Sequence, residues 1–451
     1  MKKINIIVLC LLSATLFFSA CSRFLEEKSD LKLTTPETLE DNQALLDRIT
    51  DVLTNFALSG MSSSDDFYLT DADYTGLGYD EDKRLYTWQA DYVSTNQANG
   101  NDWMYCYRAI FIANSVLYNI ENYNIPNSEN VRGQALVIRA ARYLDGAQTW
   151  CTAYQESTAD QAMGLPLRLD PDMNTASTRS TLRETYAQII KDLKEAVPLL
   201  PPRQVAVSRP SKASALAYLA RVYLVMGNYE ESLRYSLQAL EIQNTLMDFN
   251  ALNINDSYPI KDLNAEVILR ASMRTAGPSR GATAKVPPSL YDSYAPDDLR
   301  KAVFFRINAD QTVLFRGNYT GNLSGKLSGV AVDEVYLMAA ECYARSGKTT
   351  EAMTYVNALL QTRWKAGTYV PMTANNSQEA LAVIQTERRK ELLFRGLRWM
   401  DLKRYNRDGA NIVLIRTVLG QTYTLQPNDL RYAIAIPEDI VELSGIPQNP
   451  R

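Results

Sequence analysis

The sequence predicts a mainly α-helical fold with inserted loops and a few short β-strands. Three observations favour this fold. Several long stretches carry apolar residues at three- and four-residue spacing, which is the pattern of a helix with one buried face. A pattern typical of two packed helices occurs twice, and the segments between are rich in Pro, Gly, Ser and Asn. With 451 residues, of which 46% are hydrophobic, the chain can bury a large core.

The N-terminus predicts a lipoprotein signal. Two lysines precede an apolar stretch from Ile4 to Phe18, which is too short to span a bilayer comfortably, and two small residues then lead to Cys21. This ending resembles the lipobox of bacterial lipoproteins, in which the cysteine is lipidated and becomes the mature N-terminus. We therefore expect residues 1–20 to be removed and a single domain, 21–451, to be anchored through acyl chains on Cys21. An ordinary cleaved signal with an incidental cysteine is the alternative.

Helical spacing then defines the elements in order. Thr181 with Glu184 in the following turn is a capping pattern that predicts a helix start, and Leu419-Gly420 predicts the turn of a hairpin. The predicted helices cover 45–56, Trp103–Glu121, Val131–Trp150, a segment from Ser180 to near Pro198, and Ser377–Tyr405.

An internal repeat predicts two tetratricopeptide-type helix pairs, near 211–243 and 332–363. The two segments align at a constant offset of about 120 residues. The pattern typical of two packed antiparallel helices begins with a small residue, followed by Tyr three positions later. Gly follows four positions after the Tyr, and another small residue five positions after the Gly. The matching pairs are Ala220 and Ala340, Tyr223 and Tyr343, Gly227 and Gly347, Ser232 and Ala352, and Tyr235 and Tyr355.

Two segments read as loop-rich insertions on this helical scaffold. Residues 61–102 combine Ser, Asp, Asn and Gly with many aromatics and show no sustained period, which indicates a long structured loop region. Residues 244–330 contain short β-prone runs among Pro, Gly, Ser and Asn.

Composition excludes several classes of function. The chain has no histidine, which removes Ser-His-Asp and Cys-His nucleophile systems and most zinc sites. A net charge of −4 argues against a nucleic-acid partner. Beyond the signal, Cys106, Cys151 and Cys342 stand singly and are expected to be buried free thiols. We expect no metal site, no cofactor and no catalytic residue. The lack of histidine does not exclude glycoside hydrolysis by two carboxylates, because that reaction needs only Asp or Glu.

The pieces together resemble the SusD/RagB family of outer-membrane lipoproteins over nearly the whole chain. The block from Glu387 to Arg404 is the most specific part of the resemblance. Its charged residues, including Arg388, Arg389 and Lys390, are interpreted as structural framework on solvated or ion-paired helix faces, with Leu392 and Trp399 facing inward. The other matching motifs are Phe24-Leu25-Glu26, Trp103-x-x-x-Tyr107-Arg108-Ala109-Ile110, Arg139-Ala140-x-x-Tyr143, Gly164-Leu165-Pro166-Leu167 and Arg209-Pro210-Ser211-Lys212.

The resemblance implies a lipid-anchored protein on the cell surface. Such a protein binds an oligosaccharide derived from starch or another glycan, without catalysis. It delivers the ligand to a SusC-like TonB-dependent transporter in the outer membrane. A peptide- or protein-binding member of the same scaffold is one alternative, and a carboxylate-dependent glycoside hydrolase is the other.

Sugar binding needs flat aromatic faces with polar groups at their edges, and the densest aromatic stretch lies in 61–102. The resemblance implies that this segment and loops of the middle insertion form the ligand site, pointing to Trp88, Tyr92 and Asn96 first. Packing within its own loop is the alternative for each ring. The full set predicted to bind ligand is Trp88, Tyr92, Asn96, Tyr74, Arg84, Tyr291, Tyr294 and Tyr319.

Overall fold

A computed structural model describes residues 35–89 and 101–451. Helices dominate, so the mainly α prediction is confirmed. The helices of the N-terminal half are α1 (Leu39–Asp47), α2 (Ile49–Val52), α3 (Ser59–Ser63), α4 (Asp71–Thr75), α5 (Asp80–Tyr86), α6 (Asp102–Asn122), α7 (Glu129–Trp150), α8 (Leu182–Leu199), α9 (Lys212–Met226) and α10 (Tyr229–Ile242). Those of the C-terminal half are α11 (Pro288–Asp292), α12 (Arg300–Phe304), α13 (Val332–Arg345), α14 (Thr349–Gln361), α15 (Ser377–Glu391), α16 (Arg398–Arg407) and α17 (Glu438–Ser444). None of the helices in these described ranges is long and apolar enough to cross a membrane.

Short strands pair as four separate antiparallel ribbons in the described part of the chain. The pairs are β1 (Met163–Pro166) with β2 (Arg179–Thr181), β3 (Val267–Leu269) with β6 (Val330–Ala331), β4 (Phe305–Ile307) with β5 (Val313–Phe315), and β7 (Leu414–Val418) with β8 (Gln421–Leu425). The last pair is a hairpin whose turn residues Leu419 and Gly420 both have positive φ, as a two-residue turn of this kind requires.

The long helices stack in chain order. Helix α6 packs on α7, α7 on α8, α8 on α9, α9 on α10, and α10 on α13, which in turn packs on α14 and α15. The buried faces of these helices form one continuous hydrophobic core. The capping box that starts α8 joins Thr181 and Glu184, as their spacing predicts.

The repeat glycines have the same role in both helix pairs. Gly227 and Gly347 take left-handed φ values of 82° and 80° where α9 and α13 give way to the next helix. In the first pair the rings of Tyr223 and Tyr235 stack at 5.7 Å. The hydroxyl of Ser232 donates to the Ala220 carbonyl, which shows how closely the small residues bring α9 and α10 together.

Three sequence-based expectations need correction. The helix predicted over Ser377–Tyr405 is two helices, because the backbone reverses through positive φ at Phe394 and Gly396. Residues 61–102 contain the end of α3 and the helices α4 and α5, which are too short to produce a sustained apolar period. For Arg388 and Lys390 the solvated alternative is wrong, since both are buried, and the ion-paired alternative is confirmed.

The charged block at 387–404 is instead part of an interior ion-pair network. Arg388 pairs with Asp401 at 2.9 Å, and Arg404 pairs with Glu341 at 2.5 Å. Each pair joins one helix to another, so the charges hold helices together inside the protein. The three cysteines Cys106, Cys151 and Cys342 are buried and free, as expected.

Candidate ligand-binding face

The two loop-rich insertions meet in one layer, although more than 140 residues separate them in sequence. Phe56 forms a parallel bridge with Met273, and Tyr68 forms an antiparallel bridge with Lys285. Lys285 also bridges to Leu314 in β5. Residues 56–89 and 271–319 therefore form a single unit, called here the loop layer.

Capping and charge fix the outer edge of this layer. The Thr70 hydroxyl and the Asp73 carboxylate form a capping box at the start of α4. The same Asp73 pairs with the Lys285 ammonium at 3.1 Å, which ties α4 to the second insertion. The backbone N–H of Leu419 donates to the Asp71 carboxylate at 2.7 Å, so the β7–β8 hairpin also holds α4 in place.

Much of the aromatic density in 61–89 surrounds one buried arginine. The Arg416 guanidinium lies 3.9 Å from the ring centroid of Tyr86 and 4.7 Å from that of Trp88. It donates to the backbone carbonyls of Ser62, Ser64 and Tyr86. These rings therefore pack within the layer, which was the alternative explanation of the pattern.

Three of the predicted ligand-binding rings are interior residues. Trp88 is 5% exposed, and its indole N–H donates to the Ser63 carbonyl at 2.9 Å. Tyr294 is 1% exposed and donates to the Lys390 carbonyl, while Tyr319 is 2% exposed and donates to the carboxylates of Glu266 and Asp333. Their rings pack in the core and their polar atoms have internal partners, so the expectation that they face a ligand is corrected.

The other predicted residues occupy different positions. Tyr74 and Arg84 are half-buried at the surface of the layer, where the Tyr74 ring contacts Tyr86. Tyr291 is half-buried in another cluster, with its ring edge-on to Phe305 and the Lys301 ammonium 4.6 Å from its centroid. Tyr92, Asn96 and Cys21 lie outside the described residues.

A charged cluster occurs where the layer meets the start of α6. One Asp102 oxygen accepts from the backbone N–H groups of Leu58 and Ser59, and the other lies 3.0 Å from the Arg274 guanidinium. The Arg274 guanidinium lies 5.8 Å from the ring centroid of Tyr105. We call Asp82, Asp102, Tyr105, Arg274 and Arg280 the Asp82 cluster.

Asp82 has an unusually high pKa for a partly exposed carboxyl. Burial raises its pKa to about 6, and the charge of Asp102 adds to the shift, while Arg274 and Arg280 oppose it. The cluster combines carboxylates, guanidinium groups and a phenol, which can all bond to hydroxyl groups. Sequence analysis missed it because its members come from three segments that only the fold brings together.

The comparisons with known proteins agree with this architecture. Residues 23–224 match the family model SusD-like_3, described as starch-binding and associating with the outer membrane. Residues 333–440 match a second model, described as the SusD family.

Individual proteins of known sequence or structure are also similar to this chain. SusD-like protein P2 of Formosa agariphila is 27% identical over 289 residues, which are 51% of this chain and 57% of that protein. The chain thus spans little more than half the length of that relative. A SusD superfamily protein from Bacteroides thetaiotaomicron has the same fold, with a TM-score of 0.73 and 21% identity over 92% of this chain and 100% of the other. A laminarin-binding SusD-like protein gives a TM-score of 0.64 at 18% identity, covering 91% of this chain and 97% of the other.

Proposed function

The chain belongs to the SusD family, and from this premise we propose that it binds an oligosaccharide at the cell surface and delivers it to a SusC-like TonB-dependent transporter. The family is a carbohydrate-binding one associated with the outer membrane. The observation that carries the proposal is the match of residues 23–224 to a model described as starch-binding. The lipid anchor on Cys21, the cell-surface position and the transporter partner are parts of the proposal.

The surface of the loop layer is the proposed binding site. Tyr74 and Tyr291 have half-buried rings, and Tyr79 is an exposed aromatic beside α5. Tyrosine rings offer an apolar face for a sugar ring, and their hydroxyls can bond at its edge. Arg84 and the Asp82 cluster supply polar groups in the same part of the fold, and Tyr92 and Asn96 remain in the proposed set.

Two of the described carboxyls with a raised pKa are too deeply buried to take part in hydrolysis. Asp66 and Glu266 both have a pKa raised to about 7, chiefly by burial, as a general acid would need. However, they are 2% and 0% exposed, so neither can reach a glycosidic oxygen. Asp82 is the one partly exposed carboxyl of the Asp82 cluster and is the residue to test for the hydrolase alternative.

Calorimetric titration of the full chain in detergent with maltoheptaose and laminarihexaose tests the binding site. We expect Tyr74→Ala and Tyr291→Ala to weaken the association, since each removes a ring worth about 1 kcal/mol in contact energy. Tyr123→Ala is the matched control because Tyr123 is an exposed ring at the end of α6. Equal affinity in all three variants would contradict the proposed site.

The same titration separates the alternatives. Uptake of a peptide mixture without any uptake of sugar would favour the peptide-binding alternative. Release of shorter saccharides that stops in Asp82→Asn would favour the hydrolase. For the anchor, Cys21→Ala should move the protein from the membrane fraction to the soluble fraction, and a membrane-bound variant would contradict lipidation at this residue.

A further inference from the structure

A cleft of about 270 Å³ opens between α6, the loop that follows β1 and the C-terminal helix α17. None of the members of the Asp82 cluster lines it. Its volume is near the lower end of the roughly 300–1,000 Å³ that small-molecule sites occupy. We call it the α6 cleft. It is lined on one side by Trp103, Tyr107 and Phe111 and on the other by Arg168, Asp170 and Ser177.

Three aromatic rings line one side of this cleft at intervals of four residues. Trp103, Tyr107 and Phe111 follow one another along α6, and four residues advance a helix by about 6 Å on nearly the same face. Trp103 and Tyr107 stack with their centroids 4.7 Å apart. Phe111 continues the row and is 41% exposed. Trp103 is only 5% exposed and stacks on Tyr107, so Tyr107 and Phe111 are the rings of this row that a ligand can reach.

The opposite wall is preorganised. The Asn114 amide donates to the Arg168 carbonyl at 2.9 Å, and the Tyr143 hydroxyl both accepts from the Arg168 N–H and donates to its carbonyl. The Arg168 guanidinium donates to the Thr175 carbonyl at 2.6 Å and to the Ser177 hydroxyl at 3.2 Å, which closes the loop on itself. A wall fixed before binding loses little entropy when a ligand arrives.

Polar groups border the apolar row. The Asp170 carboxylate lines the cleft, and one of its oxygens accepts from the Asp172 N–H at 2.9 Å. Its other oxygen has no donor among the described residues, so it can accept from a ligand hydroxyl. Ser177 and Ser444 line the same cleft. A carboxylate and hydroxyls at the edge of flat rings suit a neutral polyhydroxylated ligand better than a lipid chain.

We propose that the α6 cleft is a second saccharide subsite, which holds one or two sugar rings against Tyr107 and Phe111 with Asp170 at the hydroxyl edge. The inference depends on the proposed function only for the class of ligand. A chain with two separated subsites holds a long glycan more firmly than a short one, because the second contact forms at high effective concentration.

The test is a calorimetric titration of the full chain with maltoheptaose and laminarihexaose. Phe111→Ala should lower the affinity about tenfold, which corresponds to about 1.4 kcal/mol. Phe111→Trp should keep the affinity, because it restores a flat ring. Tyr118→Ala is the matched control, since Tyr118 is an exposed ring on the same helix that does not line the cleft. Tyr74→Ala reports on the loop layer separately.

The outcomes distinguish the two proposals. A loss in Phe111→Ala that Phe111→Trp restores, with Tyr118→Ala unchanged, supports the α6 subsite. Loss in Tyr74→Ala alone, with Phe111→Ala equal to wild type, overturns the α6 subsite and leaves the proposed function standing. Loss in Phe111→Ala alone supports the α6 subsite and moves the binding site away from the loop layer. If wild-type protein binds neither sugar, the proposed glycan binding and the subsite that depends on it both fail.

Discussion

Arg363 in the helical scaffold and Arg416 in the hairpin that supports the loop layer are both buried, and they are neutralised by different means. Arg363 pairs with Glu266 and Glu391, each at 2.7 Å. Arg416 donates to three backbone carbonyls and lies against the rings of Tyr86 and Trp88. Carboxylates thus join the end of α14 to α15 and to the segment before β3, while carbonyls and rings hold loops around the Arg416 cation.

The two environments shift the acidity of the arginines in opposite directions. For Arg363, burial would lower the pKa, but the charges of Glu266 and Glu391 outweigh it and raise the pKa. For Arg416, burial lowers the pKa to about 10, and the nearby phenol of Tyr86 offsets only part of the effect. Arg363 is therefore compensated by carboxylate charges, whereas Arg416 is compensated only in part.

Arg363→Met is expected to have the largest effect on stability. It leaves the buried carboxylate of Glu266 without its cation and leaves Glu391 paired with Arg300 alone, which costs about 3–5 kcal/mol. Urea denaturation would measure the loss. Arg132→Met is the control, because the Arg132–Glu195 pair is half-exposed and such pairs contribute about 1 kcal/mol or less. Equal losses in the two variants would contradict the role given to the interior network.

Arg416→Met is expected to cost less, about 2–3 kcal/mol, since it leaves carbonyls rather than carboxylates unpaired. The methionine can still fill the space between the Tyr86 and Trp88 rings. The same urea experiment ranks the two arginines. A larger loss for Arg416 than for Arg363 would mean that the loop layer, and not the helix network, limits the stability of the fold.

The acid groups of the two regions should respond to pH in opposite ways. The pKa of Asp82 is raised to about 6, so its ionisation destabilises the fold, and the free energy of unfolding falls as pH rises from about 4 to about 6. Asp82→Asn should therefore be more stable than wild type at pH 7.5, by about 1–2 kcal/mol, and equal to it at pH 4. Urea denaturation at the two pH values checks this, and a stability gain that does not depend on pH would contradict it.

Glu341 in the scaffold shows the reverse sign. Burial would raise its pKa, but the charge and hydrogen bonds of Arg404 outweigh burial and lower the pKa to about 2. Its contribution to stability is present above pH 4.5 and is lost as pH falls towards 2. Glu341→Gln should thus flatten the acid limb of the stability profile, and an unchanged limb below pH 4 would contradict the pairing with Arg404.

The smallest effect on stability is expected for Tyr79→Ala. Tyr79 is 46% exposed in the loop layer, so its removal should change the free energy of unfolding by less than about 0.5 kcal/mol. If the ring contacts sugar, the affinity for maltoheptaose or laminarihexaose should fall about fivefold at the same time. A variant that loses stability along with affinity would show that the ring supports the layer instead.

Predictions from the sequence were correct where they depended on residues close together in the chain. The capping pair Thr181 and Glu184 and the hairpin turn at Leu419-Gly420 each depend on residues a few positions apart. The burial of the three cysteines followed from their apolar neighbours. In contrast, the break between α15 and α16 places Gly396 against Met273, a residue more than 100 positions away, and no local pattern could show that contact.

The candidate site was predicted less fully. Aromatic density correctly drew attention to residues 61–89, but Trp88 and Tyr86 surround Arg416, which lies more than 300 residues further along the chain. An aromatic residue that binds ligand and one that covers a buried cation have the same composition signal. Whether Trp88 binds ligand or covers a cation depends on Arg416, which the β7–β8 hairpin places beside it.

The amino-acid sequence by itself determined the helical class, the repeated helix pair, the helix caps and the exclusion of histidine chemistry, because each depends on residue type and short-range spacing. Only the tertiary structure decided which charges are buried, which rings are exposed, and which segments form the loop layer, the Asp82 cluster and the α6 cleft. Burial and ion pairing are set by contacts between distant segments, and in this chain those contacts place Arg363, Arg388 and Arg404 in the interior of the protein.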